Sequence, residues 1–230
     1  MDFDGSDVLI VAATAAEVSP LLQRIGVKEN EVEVGNVVHV RDGVASLLIT
    51  GPGVAATTYH LTRVLTKGKY RMALNVGIAG AYSQKLNIGD VVIVTKDRFA
   101  DLGAEAPEGF MTGEHLPFSG LGHHPYQQGW LSPEIPSGLP PIKLPKGTAI
   151  TSDTVHTLKE SIASLTALYN PDLETMEGAA FFYACMMSET PCVQVRSVSN
   201  HVGPRTRNTW NIGLAITKLN QYLINSPFNL

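Results

Sequence analysis

Val8-Leu9-Ile10-Val11-Ala12-Ala13 is a continuous apolar run, not an alternating one. A strand reads this way when a parallel sheet buries both of its faces. Further buried strands read at Met72 to Val76, leading into Gly77-Ile78-Ala79-Gly80, at Val91 to Thr95 after the Gly89-Asp90 turn, and at Val193 to Val198, which carries polar Gln194, Arg196 and Ser197 between its valines. Thr148 to Thr151 reads as a further strand, and Glu174-Thr175-Met176 as a short strand or loop. Helical patterns lie between them. Ser19-Pro20 predicts an N-cap with Pro at the first helical position, and Val54 to Leu65, Thr157 to Leu168, Gly178 to Met187 and the amphipathic Trp210 to Ile224 follow. Strands alternating with helices imply an α/β fold with a largely parallel central sheet. Val32 to Arg41 and Val44 to Thr50 alternate instead, with turn signals at Gly35-Asn36 and Asp42-Gly43, and predict an antiparallel meander.

The chain has 230 residues, which sets a prior of one domain or one domain with an insertion. Hydrophobic residues are 44% and charged residues 17%, so disordered, collagen-like and coiled-coil compositions are excluded. The net charge of −4, with no Lys/Arg block, argues against nucleic acid or an anionic membrane surface as partner. No apolar run approaches the roughly 18 residues of a membrane span. The opening Met1-Asp2-Phe3-Asp4-Gly5-Ser6-Asp7 is acidic where a signal peptide is basic, so a cytoplasmic location is expected. Residues 101–147 hold 8 of the 14 prolines and 8 of the 21 glycines, and are expected to form a lid or interface loop.

In open α/β sheets, ligands collect beyond the carboxyl ends of the strands. Glu17 falls just after the first strand, Glu177 where a strand-like segment meets the helix after Met176, and Asn200 beyond the Val193 run. Any one alone also reads as a surface carboxylate or a helix cap. Three at the ends of strands in one sheet can converge on one cleft. Competing motifs are absent: Ala12-Ala13-Thr14-Ala15-Ala16-Glu17 is no dinucleotide-binding turn, and there is no Gly-x-x-x-x-Gly-Lys-Ser/Thr phosphate loop. The histidines lack a helical His-x-x-x-His pair, so no metal is expected, and no cofactor. Cys185 and Cys192 read as buried structural thiols.

The segments Ala13-Thr14-Ala15-Ala16-Glu17-Val18, Asn75 to Gly80, Gly89-Asp90-Val91-Val92, Met176-Glu177-Gly178-Ala179-Ala180 and Arg196-Ser197-Val198-Ser199-Asn200 together resemble the purine nucleoside phosphorylase superfamily, in its methylthioadenosine/adenosylhomocysteine nucleosidase branch. Phe99 to Glu105, Pro204-Arg205 and Trp210-Asn211-Ile212 extend the likeness to the futalosine hydrolases of the alternative menaquinone route. The resemblance implies a single three-layer domain over residues 1–230, its central sheet mixed but largely parallel and flanked by helices. It implies an N-ribosyl hydrolase that releases hypoxanthine from futalosine, acting as a homo-oligomer, with a homodimer favoured.

By the same resemblance Glu17 is the general base for water and Glu177 the acid that binds the ribose hydroxyls, while Met176 lines the sugar pocket. Ile78 and Thr175 complete the substrate contacts. Val155 stands where the nucleosidases place an aromatic residue against the purine. Asn200 replaces their Asp: an amide cannot transfer a proton as an acid, but it can donate to a 6-oxo group and accept from N7–H. That suits hypoxanthine or guanine. No arginine precedes Arg24 in the first loop and none lies in Asn75 to Ala81, so water rather than phosphate is the expected nucleophile. The benzoate of futalosine needs a charged partner, for which Arg205 is the expected residue beside His201 and Arg207, with residues 101–147 folding over the same end. Other readings stay open: a nucleosidase or phosphorylase acting on methylthioadenosine, adenosylhomocysteine or inosine, or a nucleoside-binding sensor without turnover.

Overall fold

The computed structural model describes residues 8–40, 45–107, 109–117, 120–136, 139, 142–204 and 210–226. The strands are β1 (Val8–Ala12), β2 (Val37–Val40), β3 (Ala45–Ile49), β4 (Met72–Ala81), β5 (Val91–Lys96), β6 (Gly103–Ala106), β7 (Gly109–Thr112), β8 (Tyr126–Gln127), β9 (Trp130–Leu131), β10 (Lys146–Thr151), β11 (Leu173–Thr175) and β12 (Cys192–His201). The helices are α1 (Ser19–Arg24), α2 (Val54–Leu65), α3 (Lys159–Tyr169), α4 (Gly178–Met187) and α5 (Ile212–Ile224). Eight strands form one mixed sheet in the order β11-β10-β5-β12-β4-β1-β3-β2, with parallel pairs at β1–β3, β1–β4, β4–β12, β5–β10 and β10–β11.

The sheet is not open, as the sequence suggests, but closes on itself at one end. β11 also pairs antiparallel with the far end of β4, Leu173 opposite Ala81 and Glu174 opposite Gly80. Both β4 and β12 run for ten residues, well past their neighbours, and this length lets the twisted sheet reach round to β11. Gly77 to Gly80 therefore lie inside a strand rather than in a loop, and Asn200 lies within β12 rather than beyond it.

Two apolar cores flank the sheet. On one side α2 offers Thr57, Leu61, Val64 and Leu65 at helical spacing, and α4 is buried almost all round, from Gly178 to Cys185. On the other, α1 contributes Leu21 and Leu22 and α5 contributes Ala215, Leu219 and Leu223. Among the described residues no helix is long and apolar enough to cross a membrane.

Three local readings need correction. Ser19 is the first residue of α1, not its cap; Thr14 caps the 3-10 turn Ala15–Val18 instead. β2 and β3 do pair antiparallel, but β3 is buried along its length and lies parallel beside β1, so the two strands form the edge of the main sheet rather than a separate meander. Residues 101–147 carry two hairpins, β6–β7 and β8–β9, not a bare loop. Leu131 pairs with Asp97, and Trp130 lies under the Lys96 ammonium and Arg98 guanidinium, which fastens the segment along β5.

Asp97 follows β5 and is fully buried. Its Oδ1 accepts from the Arg98 N–H at 2.8 Å and the Thr151 hydroxyl at 2.9 Å, and its Oδ2 from Gln194 Nε2 at 3.2 Å. Thr151 Oγ1 in turn accepts the Ala179 N–H at 2.8 Å, so this network holds the start of α4. Burial pushes the Asp97 carboxyl up to about 7, against hydrogen bonds from Gln194 and Thr151 that pull it down. Gln194 Oε1 is buried without a partner, which a protonated Asp97 would supply. The folded chain thus holds a proton that the unfolded chain releases near the ordinary aspartate pKa of about 4. Stability is lost as pH rises from there through about 7. In Asp97→Asn the amide supplies that donor permanently. Urea denaturation should show the variant gaining on the wild type by roughly 1–3 kcal/mol between pH 5 and 7.5. An unchanged difference would remove Asp97 as the titrating group.

Candidate active site

The chain leaves β1 at Ala12 and turns at Thr14, placing Glu17 at the third position of the 3-10 turn. Glu17 Oε2 accepts from the Thr14 N–H and hydroxyl, each at 3.0 Å, and Oε1 accepts the Ile78 N–H at 3.1 Å. Its backbone carbonyl accepts from Asn220 Nδ2 of α5 at 2.8 Å. Asn220 is buried and also takes the Leu21 N–H at 3.1 Å, so it moors the Glu17 turn against α5.

Glu177 caps α4, and its Oε1 accepts the Gly53 N–H at 3.0 Å. Asp153 accepts the neighbouring Val54 N–H at 2.8 Å. Burial holds the Glu177 carboxyl above its usual range, with the Glu17 charge adding to the push and Arg196 opposing it.

Arg196 of β12 lies beneath both carboxylates and is 1% exposed. Its Nη2 donates to Asn75 Oδ1, and Asn75 Nδ2 donates to the Val11 carbonyl at 3.0 Å. A Cβ at Gly77 would stand 2.6 Å from Arg196 Nη1 and 2.7 Å from Glu17 Oε1. Only glycine lets these groups converge on β4.

Three residues along β4, a rise of about 10 Å, stands Gly80. It pairs with Asn200 on one side and with Glu174 on the other. The register shifts between Val198 and Asn200, a bulge that re-aims the Asn200 side chain. Asn200 Oδ1 accepts from Ser199 Oγ at 2.8 Å and Nδ2 donates to the His201 carbonyl at 3.1 Å. One amide hydrogen and one lone pair of Asn200 remain for a ligand. Opposite, Glu174 Oε1 accepts the His156 N–H at 3.1 Å. Its Oε2 meets His156 Nδ1 at 2.6 Å and accepts the Tyr82 hydroxyl at 3.1 Å. The hydrogen bond to Glu174 raises the His156 imidazole above the ordinary histidine range, against its burial.

These groups line one cleft of about 260 Å³. Glu17, Ile78, Val155, Thr175, Met176, Glu177 and Asn200, all expected from the sequence, are among its walls. Thr175 has its hydroxyl committed to Thr151 at 2.9 Å and to the Gly178 N–H at 3.2 Å. Val155 is 42% exposed and stands at the rim beside Ile212, which is 43% exposed. Arg205 and Arg207 lie outside the described residues, and His201 is not in the cleft wall. No described residue of 101–147 lines the cleft either, because that segment packs along β5 instead of over the site.

Sequence reading missed His156, Glu174 and Trp210 as cleft residues. Glu174 was legible as part of a short strand, but its closure onto β4 was not. Among the described residues, no Lys or Arg side chain lines the cleft and no group of His, Cys, Asp and Glu comes together to hold a metal ion. The arrangement provides carboxylates for a developing cation, an ordered carboxylate to accept a proton from water, and amide and imidazole groups for a polar heterocycle.

Comparison with known proteins gives the family and the fold. The sequence pattern of the phosphorylase superfamily matches residues 7–225. The futalosine hydrolase of Acidothermus cellulolyticus is 30% identical over 216 residues, covering 92% of this chain and 86% of that protein. The futalosine hydrolase of Streptomyces coelicolor is 31% identical over 65% of this chain, an alignment that spans 62% of that relative's length. In fold, the methylthioadenosine/adenosylhomocysteine nucleosidase of Colwellia psychrerythraea, solved with adenine, superposes with a TM-score of 0.72 at 21% identity, covering 100% of this chain and 97% of that one. The chain belongs to the phosphorylase superfamily.

Proposed function

We propose that the chain is an N-ribosyl hydrolase that cleaves futalosine to hypoxanthine and dehypoxanthine futalosine, a step of menaquinone biosynthesis. The observation that carries this reading is an amide at position 200 in a cleft that Glu17 and Glu177 share and no Lys or Arg of the described residues lines. Cleaving a ribosyl–base bond passes through a cation-like sugar, which Glu177 stabilises while it binds the ribose hydroxyls. Glu17 takes a proton from the attacking water. Met176 lines the sugar, Ile78 and Val155 give the base apolar contact, and Thr175 sets the wall between them. Asn200 donates to the 6-oxo group and, once the departing base has gained a proton at N7, accepts from that N7–H, where an ionised Asp would repel the oxygen. Among the described residues no Lys or Arg lines this cleft to meet a phosphate dianion, and Glu17 and Glu177 would repel it, so water is the nucleophile.

The same reading assigns the substrate's carboxylate to Arg205. It takes residues 1–230 as one domain, working in the cytoplasm as a homodimer whose partner closes the 5′ side of the cleft. Val155 and Ile212, both apolar and exposed in the cleft wall, support a partner that covers the cleft.

Base release followed by chromatography tests the reading, with futalosine, inosine, methylthioadenosine and adenosylhomocysteine, each with and without phosphate. Hypoxanthine from futalosine, indifferent to phosphate, is the expected result. Adenine from methylthioadenosine, or a phosphate requirement, would overturn the roles of Asn200 or of water.

Glu17→Gln should lower kcat by about 100-fold or more while hypoxanthine still binds, as measured by calorimetry. Full turnover in that variant would end the general-base assignment. Asn200→Asp should lower kcat/KM for futalosine roughly 10- to 100-fold, the cost of setting a carboxylate against a carbonyl oxygen. Its ratio of adenine to hypoxanthine release should rise, and an unchanged ratio would contradict base selection by residue 200.

A further inference from the structure

An amide at position 200 leaves the departing base without an acid from that residue. Glu177 and Glu17 converge at the Gly77 end of the cleft, where the reading above places the sugar and the water. At the Gly80 end stand Asn200 and, across β4, Glu174 with His156. His156 follows Val155, the residue set against the purine, and lines the same cleft. Its Nδ1 is tied to Glu174 at 2.6 Å, and Glu174 is oriented by Tyr82. Among the described residues Nε2 has no protein partner, and it is not among the buried unpaired atoms. A ring held at one nitrogen by a carboxylate, with no protein partner at the other and in a residue of the cleft wall, is the arrangement of an imidazole that gives or takes a proton.

Resting on the hydrolase reading, we propose that His156 delivers the proton to the leaving purine. As the C1′–N9 bond breaks, its electron pair goes to the base and the Nε2 proton passes to the purine. Water adds its oxygen to C1′ and gives one proton to Glu17. A neutral base and a ribosyl hydroxyl result, and solvent carries the proton from Glu17 back to His156. Asn200 then selects the base without having to protonate it, and Glu174 is a positioning residue that keeps the imidazole charged. The charged groups that raise the His156 imidazole are Glu174 on β11 and Asp101 beyond β5, while Tyr82 after β4 donates to Glu174.

The experiment is the pH profile of hypoxanthine release from futalosine by the wild type and His156→Gln, with an NMR titration of the His156 imidazole in the wild type. The wild-type kcat/KM should fall as pH rises, with a basic limb above the ordinary histidine range that matches the imidazole titration. His156→Gln should lose about 100-fold in kcat with little change in KM, and its basic limb should vanish. An imidazole pKa that does not match the limb, a limb retained in His156→Gln, or a variant within about threefold of wild-type kcat would each overturn the proposal. The NMR comparison decides the matter if the variant fails to fold. A wild type that releases no base from any purine nucleoside would sink the hydrolase reading itself, whereas active enzyme with an indifferent His156 sinks this inference alone.

Discussion

A single guanidinium, Arg196, is buried under Glu17 and Glu177 with Asp97 close enough to act on its charge. Taking such a group out of water costs several kcal/mol unless opposite charge and hydrogen bonds compensate. Burial pulls its pKa down, and the carboxylates of Glu177, Glu17 and Asp97, in that order, pull it back up. Much of the surrounding structure follows from this one charge. Asn75 must offer it an acceptor from β4, Gly77 opposite it must lack a side chain, and both carboxylates must face inward rather than toward solvent. The guanidinium lies below the cleft and not in its wall, so it neutralises acids without offering itself to an anionic ligand.

Closure of the sheet supplies the second constraint. Gly80 is shared by two cross-strand pairings, to Asn200 and to Glu174, and only because β11 turns back onto β4 do those residues face each other across one strand. The short β11 then runs through Thr175 to Met176 and Glu177, so the closing strand also delivers the second carboxylate. Fold and site are here one event. A ligand lying along β4 has carboxylates at one end and amide and imidazole at the other, separated by about three residues of strand rise.

The layers were legible in the sequence because parallel strands buried on both faces leave uninterrupted apolar runs, as at Val8 to Ala12, and because α2 and α4 carry clear helical patterns. Glu17, Glu177 and Asn200 were legible as polar residues at the ends of such runs. The closure was not, since pairing between Gly80 and Glu174 is a long-range contact that neither segment encodes alone. His156 was lost beside Val155 for the same reason: only its contact with Glu174, 18 positions on, distinguishes it from any loop histidine. Arg196 and Gln194, inside the run from Val193 to Val198, were the stronger clue. Polar side chains in a strand buried on both faces demand partners, and here those partners are site residues and the Asp97 network. Residues 101–147 misled because Pro and Gly mark turns equally well in a loose lid and in two short hairpins.

Charge also orders the chemistry along the cleft. At the Gly77 end, Glu177 is held above its usual range by burial and by Glu17, with Arg196 limiting the rise. In the proposed reaction a cation-like sugar formed beside it would relieve that repulsion, so the electrostatic cost of placing two carboxylates together before reaction becomes stabilisation once positive charge develops. On the same proposal an anionic nucleophile would add to the cost instead of relieving it, whereas water brings no charge and would leave its proton on Glu17. At the Gly80 end the polarity reverses: electron density accumulates on the base as the bond breaks, and there the cleft presents the Asn200 amide and an imidazole that Glu174 favours in its charged form. Under the proposed hydrolysis, acid groups under the forming cation and hydrogen-bond donors against the departing base are the two halves of one polarised bond cleavage. The β4 strand, with glycine at both places, fixes the distance between them.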